Sequence, residues 1–226
     1  MRNACEPIRT SLVVDFDYTI IRPNSGELFH YWLNNDVLKK RQSPLRLFFG
    51  FFNMFRMYCG LPKYFYNDLI QMKYSDYESH INNFVESHSL DFELNKELLE
   101  SVRDFNGLRI LLTGSPELLA QKLLEKFGEN PFDVVIGLKP GFHPWYRPSH
   151  PFGRSKYRLV QDFSPIISIG DSWSDRHLFK KSEIAFVVGS GMRIGGLARI
   201  KRWNRITWGK SSRYNRNFIK YFSISI

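Results

Sequence analysis

The stretch Ser11–Ile20, SLVVDFDYTI, sets three strand-forming residues, Leu12, Val13 and Val14, directly before two carboxylates, Asp15 and Asp17. A short apolar run of this kind reads as a buried strand. Two like charges at the end of such a strand repel each other and lose hydration, so they do nothing for folding by themselves. The chain must therefore fold so that this strand end meets other groups able to offset the charge.

Further apolar runs follow at Arg109–Leu112, Asp133–Ile136, Ile166–Ile169 and Ile184–Val188, with helical patterns between them. The clearest helix spans Pro116 to Phe127, with Ser115 as N-cap, Pro116 at the first helical position and Gly128 after its end. Strands alternating with helices imply βαβ units. The expected fold is α/β, a Rossmann-like, mostly parallel sheet sandwiched by helices. Ligands of such sheets bind at the carboxyl ends of the strands, where Asp15, Thr113 and Asp171 fall.

More than ninety residues separate Asp15 from Arg109, far beyond the dozen or so that one crossover needs. The segment is rich in aromatic residues and helical patterning, and is expected to form a small α-helical cap insert over the strand ends. The expected organisation is a core of residues 1–26 and 106–191, a cap of 27–105, and a basic segment, 192–226. A second long loop, Lys139 to Lys156, carries His143, Arg147, His150 and Arg154, either at a substrate entrance or on a plain surface loop.

Composition narrows the classes. With 226 residues, 43% apolar, 20 Phe and 11 Tyr, the chain is neither disordered nor too short for a sizeable core. Two cysteines, Cys5 and Cys59, make no disulfide framework and fit a reducing compartment. No secretory signal is read at the start, and the Phe-rich run Leu45–Tyr58 is too short to span a bilayer; it reads as a core-facing helix or as one lying on a membrane surface. The expected location is cytoplasmic, with peripheral membrane contact as the alternative. From Met192 onward there are nine Lys or Arg and no acid, so almost all of the net charge of +10 sits there. Such a segment suits the phosphates of nucleic acid or an anionic membrane surface, or is simply solvated.

The candidate chemistry lies at the strand ends. Asp15 and Asp17 close the first strand, Thr113 and Gly114 the second, and Gly170-Asp171 another, with Asp175 one helical turn beyond. Lys156 opens a helix fifteen residues before Asp171, with Lys139 as its rival. Four carboxylates in one crevice require a cation, and hard oxygen donors in that number suit Mg²⁺. A carboxylate can act as nucleophile, a second acid can shuttle a proton, and a hydroxyl and an ammonium can hold phosphoryl oxygens. The set suits phosphoryl transfer. It suits redox chemistry poorly, because no dinucleotide-binding glycine pattern follows a strand.

VVDFDYT, ILLTG, Lys156 and IGDSWSD, in this order, resemble the four motifs of the haloacid dehalogenase superfamily. The resemblance spans about Ser11 to Val188. It implies that Asp15 is the nucleophile, forming an aspartyl-phosphate, and that Asp17 is the general acid/base. It implies Mg²⁺ held by Asp15, Asp171 and the Asp17 backbone carbonyl, with Asp175 in support. Thr113 and Gly114 would hold the phosphoryl group of a small phosphorylated substrate, with Lys156 neutralising charge and orienting Asp15. An acid at Asp17 favours phosphatases over dehalogenases. An insert between the first two motifs resembles the helical cap of phosphoserine phosphatase-like members. Those enzymes carry a substrate-binding Glu nine residues beyond the nucleophile; here Asn24 stands there, so phosphoserine is not expected as the substrate.

Overall fold

The computed structural model describes residues 10–33, 73–140, 151–163, 165–189 and 203–206. The Phe-rich run, His143, Arg147, His150, both cysteines and most of segment 192–226 lie outside the described residues.

In chain order the elements are β1 (Ser11–Val14), β2 (Ile21–Arg22), α1 (Ser25–Trp32), α2 (Tyr74–His88), β3 (Glu93–Leu94), α3 (Lys96–Arg103) and β4 (Leu108–Pro116). They continue with α4 (Glu117–Lys126), β5 (Val134–Leu138), α5 (Arg154–Val160), β6 (Ile166–Gly170), α6 (Arg176–Phe179), β7 (Ile184–Val188) and β8 (Asn204–Ile206). Six strands form one parallel sheet in the order β5-β4-β1-β6-β7-β8. The expected α/β architecture is the one observed.

β1 is central, and its four residues are all buried because both sheet faces are covered. Alternation divides its side chains: Leu12 and Val14 join one apolar cluster, whereas Val13 packs with Ile110, Val160 and Leu178 in another. Val14 pairs in register with Leu111 of β4 and Ile169 of β6. Val14, Leu111 and Ile169 thus lie at one level, and residues shortly beyond them line a common crevice.

The long insert is helical over α1 and α2 among its described residues, with α3 placed after its stem. It leaves and re-enters the core through a paired stem, in which Ile21 lies opposite Leu94 and Arg22 opposite Glu93. Asn95 fastens the stem, its backbone N–H to Ile20 O and its side-chain amide to Thr19 O. α2 buries Tyr77, Ile81, Phe84 and Val85, a helical stripe that packs against α4. Phe84 meets Phe29 of α1 edge-on, with ring centroids 5.2 Å apart.

Two features depart from the sequence reading. α4 begins at Glu117, Pro116 occupies the capping position without a side-chain cap, and Ser115 belongs to the β4 segment. The cause is pairing: Pro116 still lies opposite Leu138 of β5 after an irregularity beyond Leu112, so the strand outruns the expected helix start. Gly128 does follow the helix with φ +68°. Second, Asn204–Ile206, within the basic segment, forms the sheet's edge strand beside β7, burying Ile206 against the core. Three residues with one buried side chain carry too little periodicity to be read as a strand. Among the described residues no helix is long and apolar enough to cross a membrane.

Candidate active site

A cavity of about 240 Å³ opens at the carboxyl ends of β1, β4 and β6. Asp15, Asp17, Gly114, Lys156 and Asp171 line it, and Tyr18, Asn24, Glu27, Ser115, Phe152 and Ser172 are among the residues that complete its wall. Asp15 follows β1 directly, and its backbone N–H continues the ladder to Ile169 O at 2.8 Å. Asp171 follows β6. Gly153, with φ +52°, turns the chain into α5 and so brings Lys156, in that helix's first turn, under the strand ends.

Lys156 ties the site together. Its Nζ lies 2.9 Å from Asp15 Oδ1 and 2.6 Å from Asp175 Oδ1, with its side chain 3% exposed. The other Asp175 oxygen accepts from Ser172 N–H at 3.1 Å and Ser172 Oγ at 2.8 Å. The sequence carries this signal in SWSD, a Ser followed three residues later by an acid at a helical start. Lys139, the rival lysine, pairs instead with Glu117 at 3.3 Å and is mostly exposed, outside the cavity wall.

Asp15, Asp171 and Asp175 each offer an oxygen within 4.8 Å of the others. Burial, and then the charge of Asp175, push the Asp15 carboxyl up to about 7, although Lys156 opposes the shift. Burial followed by Asp15 and Asp175 likewise raises Asp171 well above the carboxylate range. Burial alone would lower Lys156, but Asp15 and Asp175 outweigh it and hold the ammonium above its ordinary value. The site thus concentrates more negative charge than one lysine offsets. Its donors are hard oxygens, and they fit Mg²⁺.

Asp17 lines the same cavity but turns its carboxylate to Ser25 and Ser115. Its Oδ1 accepts from Ser25 N–H at 2.6 Å and Ser25 Oγ at 2.7 Å, and its Oδ2 accepts from Ser115 Oγ. Its side chain is not part of the three-carboxylate cluster. Thr113 is fully buried, and its Oγ1 accepts from Ser115 N–H at 3.0 Å. The cavity wall at this turn is formed by Gly114 and Ser115, with Thr113 just behind. Gly114 is needed for closeness, since a Cβ there would lie 2.7 Å from the Phe152 ring. Sequence reasoning missed Ser25 and gave Ser115 to helix capping; the Ser115 contact has no local signal, since Ser115 and Asp17 are 98 residues apart.

A family model described as haloacid dehalogenase-like hydrolase matches residues 12–180, from β1 through α6. The chain belongs to that family. This hydrolase is similar in fold to a Bordetella pertussis Tohama I protein of unknown function, with TM-score 0.66 and 16% identity over 88% of this chain and 99% of that one. A phosphoserine phosphohydrolase-like protein from Francisella tularensis subsp. tularensis SCHU S4 superposes with TM-score 0.58 and 14% identity, over 96% and 100% of the two chains. A predicted phosphatase from Clostridium acetobutylicum gives TM-score 0.54 and 15% identity, over 95% and 100%. No curated protein matches this hydrolase by sequence.

Proposed function

We propose that this hydrolase is a Mg²⁺-dependent phosphatase that cleaves a small phosphomonoester through an aspartyl-phosphate on Asp15. The observation that carries the reading is Lys156 bridging Asp15 and Asp175 beside Asp171, in the cavity that Asp17 also lines. Asp15, Asp171 and the Asp17 backbone carbonyl would hold the ion, with Asp175 in support. When bound, the ion supplies charge neutralisation for the phosphoryl oxygens and keeps Asp15 ionised.

The chain's own residues then divide the work. Lys156 fixes the Asp15 carboxylate and counters charge as it builds on the phosphoryl group. Thr113 receives the Ser115 N–H on its oxygen, which leaves its own hydroxyl proton to donate to a phosphoryl oxygen, alongside the Gly114 turn. Asp15 attacks phosphorus, the bond to the leaving oxygen breaks, and Asp17 gives that oxygen its proton. Asp17 next takes a proton from water, whose oxygen attacks phosphorus and breaks the bond to Asp15, releasing inorganic phosphate. The cavity's size favours a small ester.

The test is hydrolysis of p-nitrophenyl phosphate by purified protein in Mg²⁺. Asp15→Asn and EDTA are each expected to abolish it, and robust turnover by Asp15→Asn overturns the reading.

A further inference from the structure

Among the described residues, the donors Ser25 N–H, Ser25 Oγ and Ser115 Oγ converge on the Asp17 carboxylate, and all are buried: Ser25 is 0% exposed, Ser115 1% and Asp17 itself 8%. Two of them, the Ser25 N–H and Oγ, fall on one oxygen, Oδ1. Ser25 is the first residue of α1, so its N–H is one that a helix leaves without an intrahelical partner. Asn24, the N-cap, does not reach it; its side chain accepts from Glu27 N–H. Asp17, eight residues earlier, takes that donor instead. Hydrogen bonds to an ionised acceptor are short and strong, and turning the carboxylate would break both at once.

The donors are also unequal. A backbone N–H only donates, whereas the Ser115 hydroxyl can donate or accept. Oδ1 is therefore the anchored oxygen. Oδ2 faces Ser115, which lines the cavity, whereas Ser25 lies behind the wall.

We propose that Ser25 is a positioning residue for Asp17: it clamps Oδ1 so that Oδ2 is presented to the substrate's leaving oxygen. The proposal rests on the reading of Asp17 as the general acid/base. It also ties that acid to α1, the first helix of the insert, so that the insert's seat on the core sets where the acid points.

The competing role, a helix cap with no catalytic consequence, makes a different prediction. An aryl phosphate leaves as a stable anion and needs little protonation; an alkyl phosphate needs the proton. Both substrates report on steps through leaving-group departure in kcat/KM. The measurement is therefore the ratio of kcat/KM for a small alkyl phosphomonoester to that for p-nitrophenyl phosphate. Loss of folded protein lowers both equally and leaves the ratio intact. Ser25→Ala is expected to lower the ratio by about tenfold. Ser25→Cys, whose thiol is a weaker donor, is expected to lower it less, and it carries the test if the Ala variant does not fold. An unchanged ratio, or equal losses on both substrates, overturns the proposal. Asp15→Asn run beside them separates the cases: if it still hydrolyses either ester, the reading of Asp15 as nucleophile with Asp17 as its acid/base fails and takes this proposal with it. If Asp15→Asn is inactive and the Ser25 ratio is unchanged, only the positioning role is lost.

Discussion

Lys156 Nζ lies 2.6 Å from Asp175 Oδ1, and neither side chain reaches solvent, their exposures being 3% and 1%. Asp175 therefore holds the lysine that holds Asp15, and it is itself held by Ser172. A cation placed this way links a first-turn residue of α5 to the ends of β1 and β6.

Removing that cation leaves buried carboxylates facing one another. Lys156→Met is expected to cost about 3–5 kcal/mol of stability, because one partner of a buried pair is lost while the other stays. Urea unfolding of the metal-free variant measures it. Hydrolysis is expected to fall by roughly a hundredfold or more, since a preorganised charge at the phosphoryl group is gone.

Asp15 makes the metal-free protein sensitive to alkali. Its folded pKa of about 7 lies above the ordinary carboxyl value of 3.8 that it has in the unfolded chain. Its contribution to stability is thus complete below pH 3.8 and is lost as the pH rises through about 7. The melting temperature of metal-free wild type is expected to fall across that range relative to Asp15→Asn, which lacks the titration. Mg²⁺ competes with the proton, so it is expected to raise the melting temperature more at pH 8 than at pH 5. Equal Mg²⁺ shifts at both values contradict this account.

Gly170 is required by contact. A Cβ there would lie 2.8 Å from Asp175 Oδ2 and 3.2 Å from the Phe179 ring. Gly170→Ala is expected to displace the Asp175 carboxylate from Ser172 and Lys156, costing about 1–3 kcal/mol. It is also expected to lower kcat, with circular dichroism showing the fold retained.

Thr113 supports the turn that carries Ser115. Thr113→Val removes the acceptor of the Ser115 N–H while keeping the side chain's shape, at an expected cost of about 1–3 kcal/mol. Thr113→Ser keeps the oxygen and is expected to stay close to wild type in denaturant titrations. Ser115→Ala leaves that acceptor in place and is expected to lower kcat mainly, because it takes a donor from Asp17.

The core of this protein is legible because its signals are local. Leu12–Val14, Arg109–Leu112 and Ile166–Ile169 are apolar runs short enough to be strands, and each leads into polar residues, Asp15, Thr113 and Asp171, whose type suits chemistry at a strand end. Lys156 was legible from its place at the head of a helix after the proline-rich loop, fifteen residues before Asp171. β8 was not, because Asn204–Ile206 offers one buried side chain and depends on β7 for its pairing. Nor was the end of β4: Ser115-Pro116 has the composition of a helix start, but pairing with β5 holds it extended as far as Pro116.

The sequence alone determined which chemical groups stand at the strand ends and in what order, because strand and helix periodicity with their terminating residues are written in consecutive positions. The tertiary structure decided which groups meet. Ser115 reaches Asp17 across 98 residues, Lys156 chooses Asp15 and Asp175 over solvent, and Ser25 turns a helix start into a clamp. Those contacts depend on how the sheet brings β1, β4 and β6 side by side and where the insert's stem closes, and no local pattern specifies such a closure.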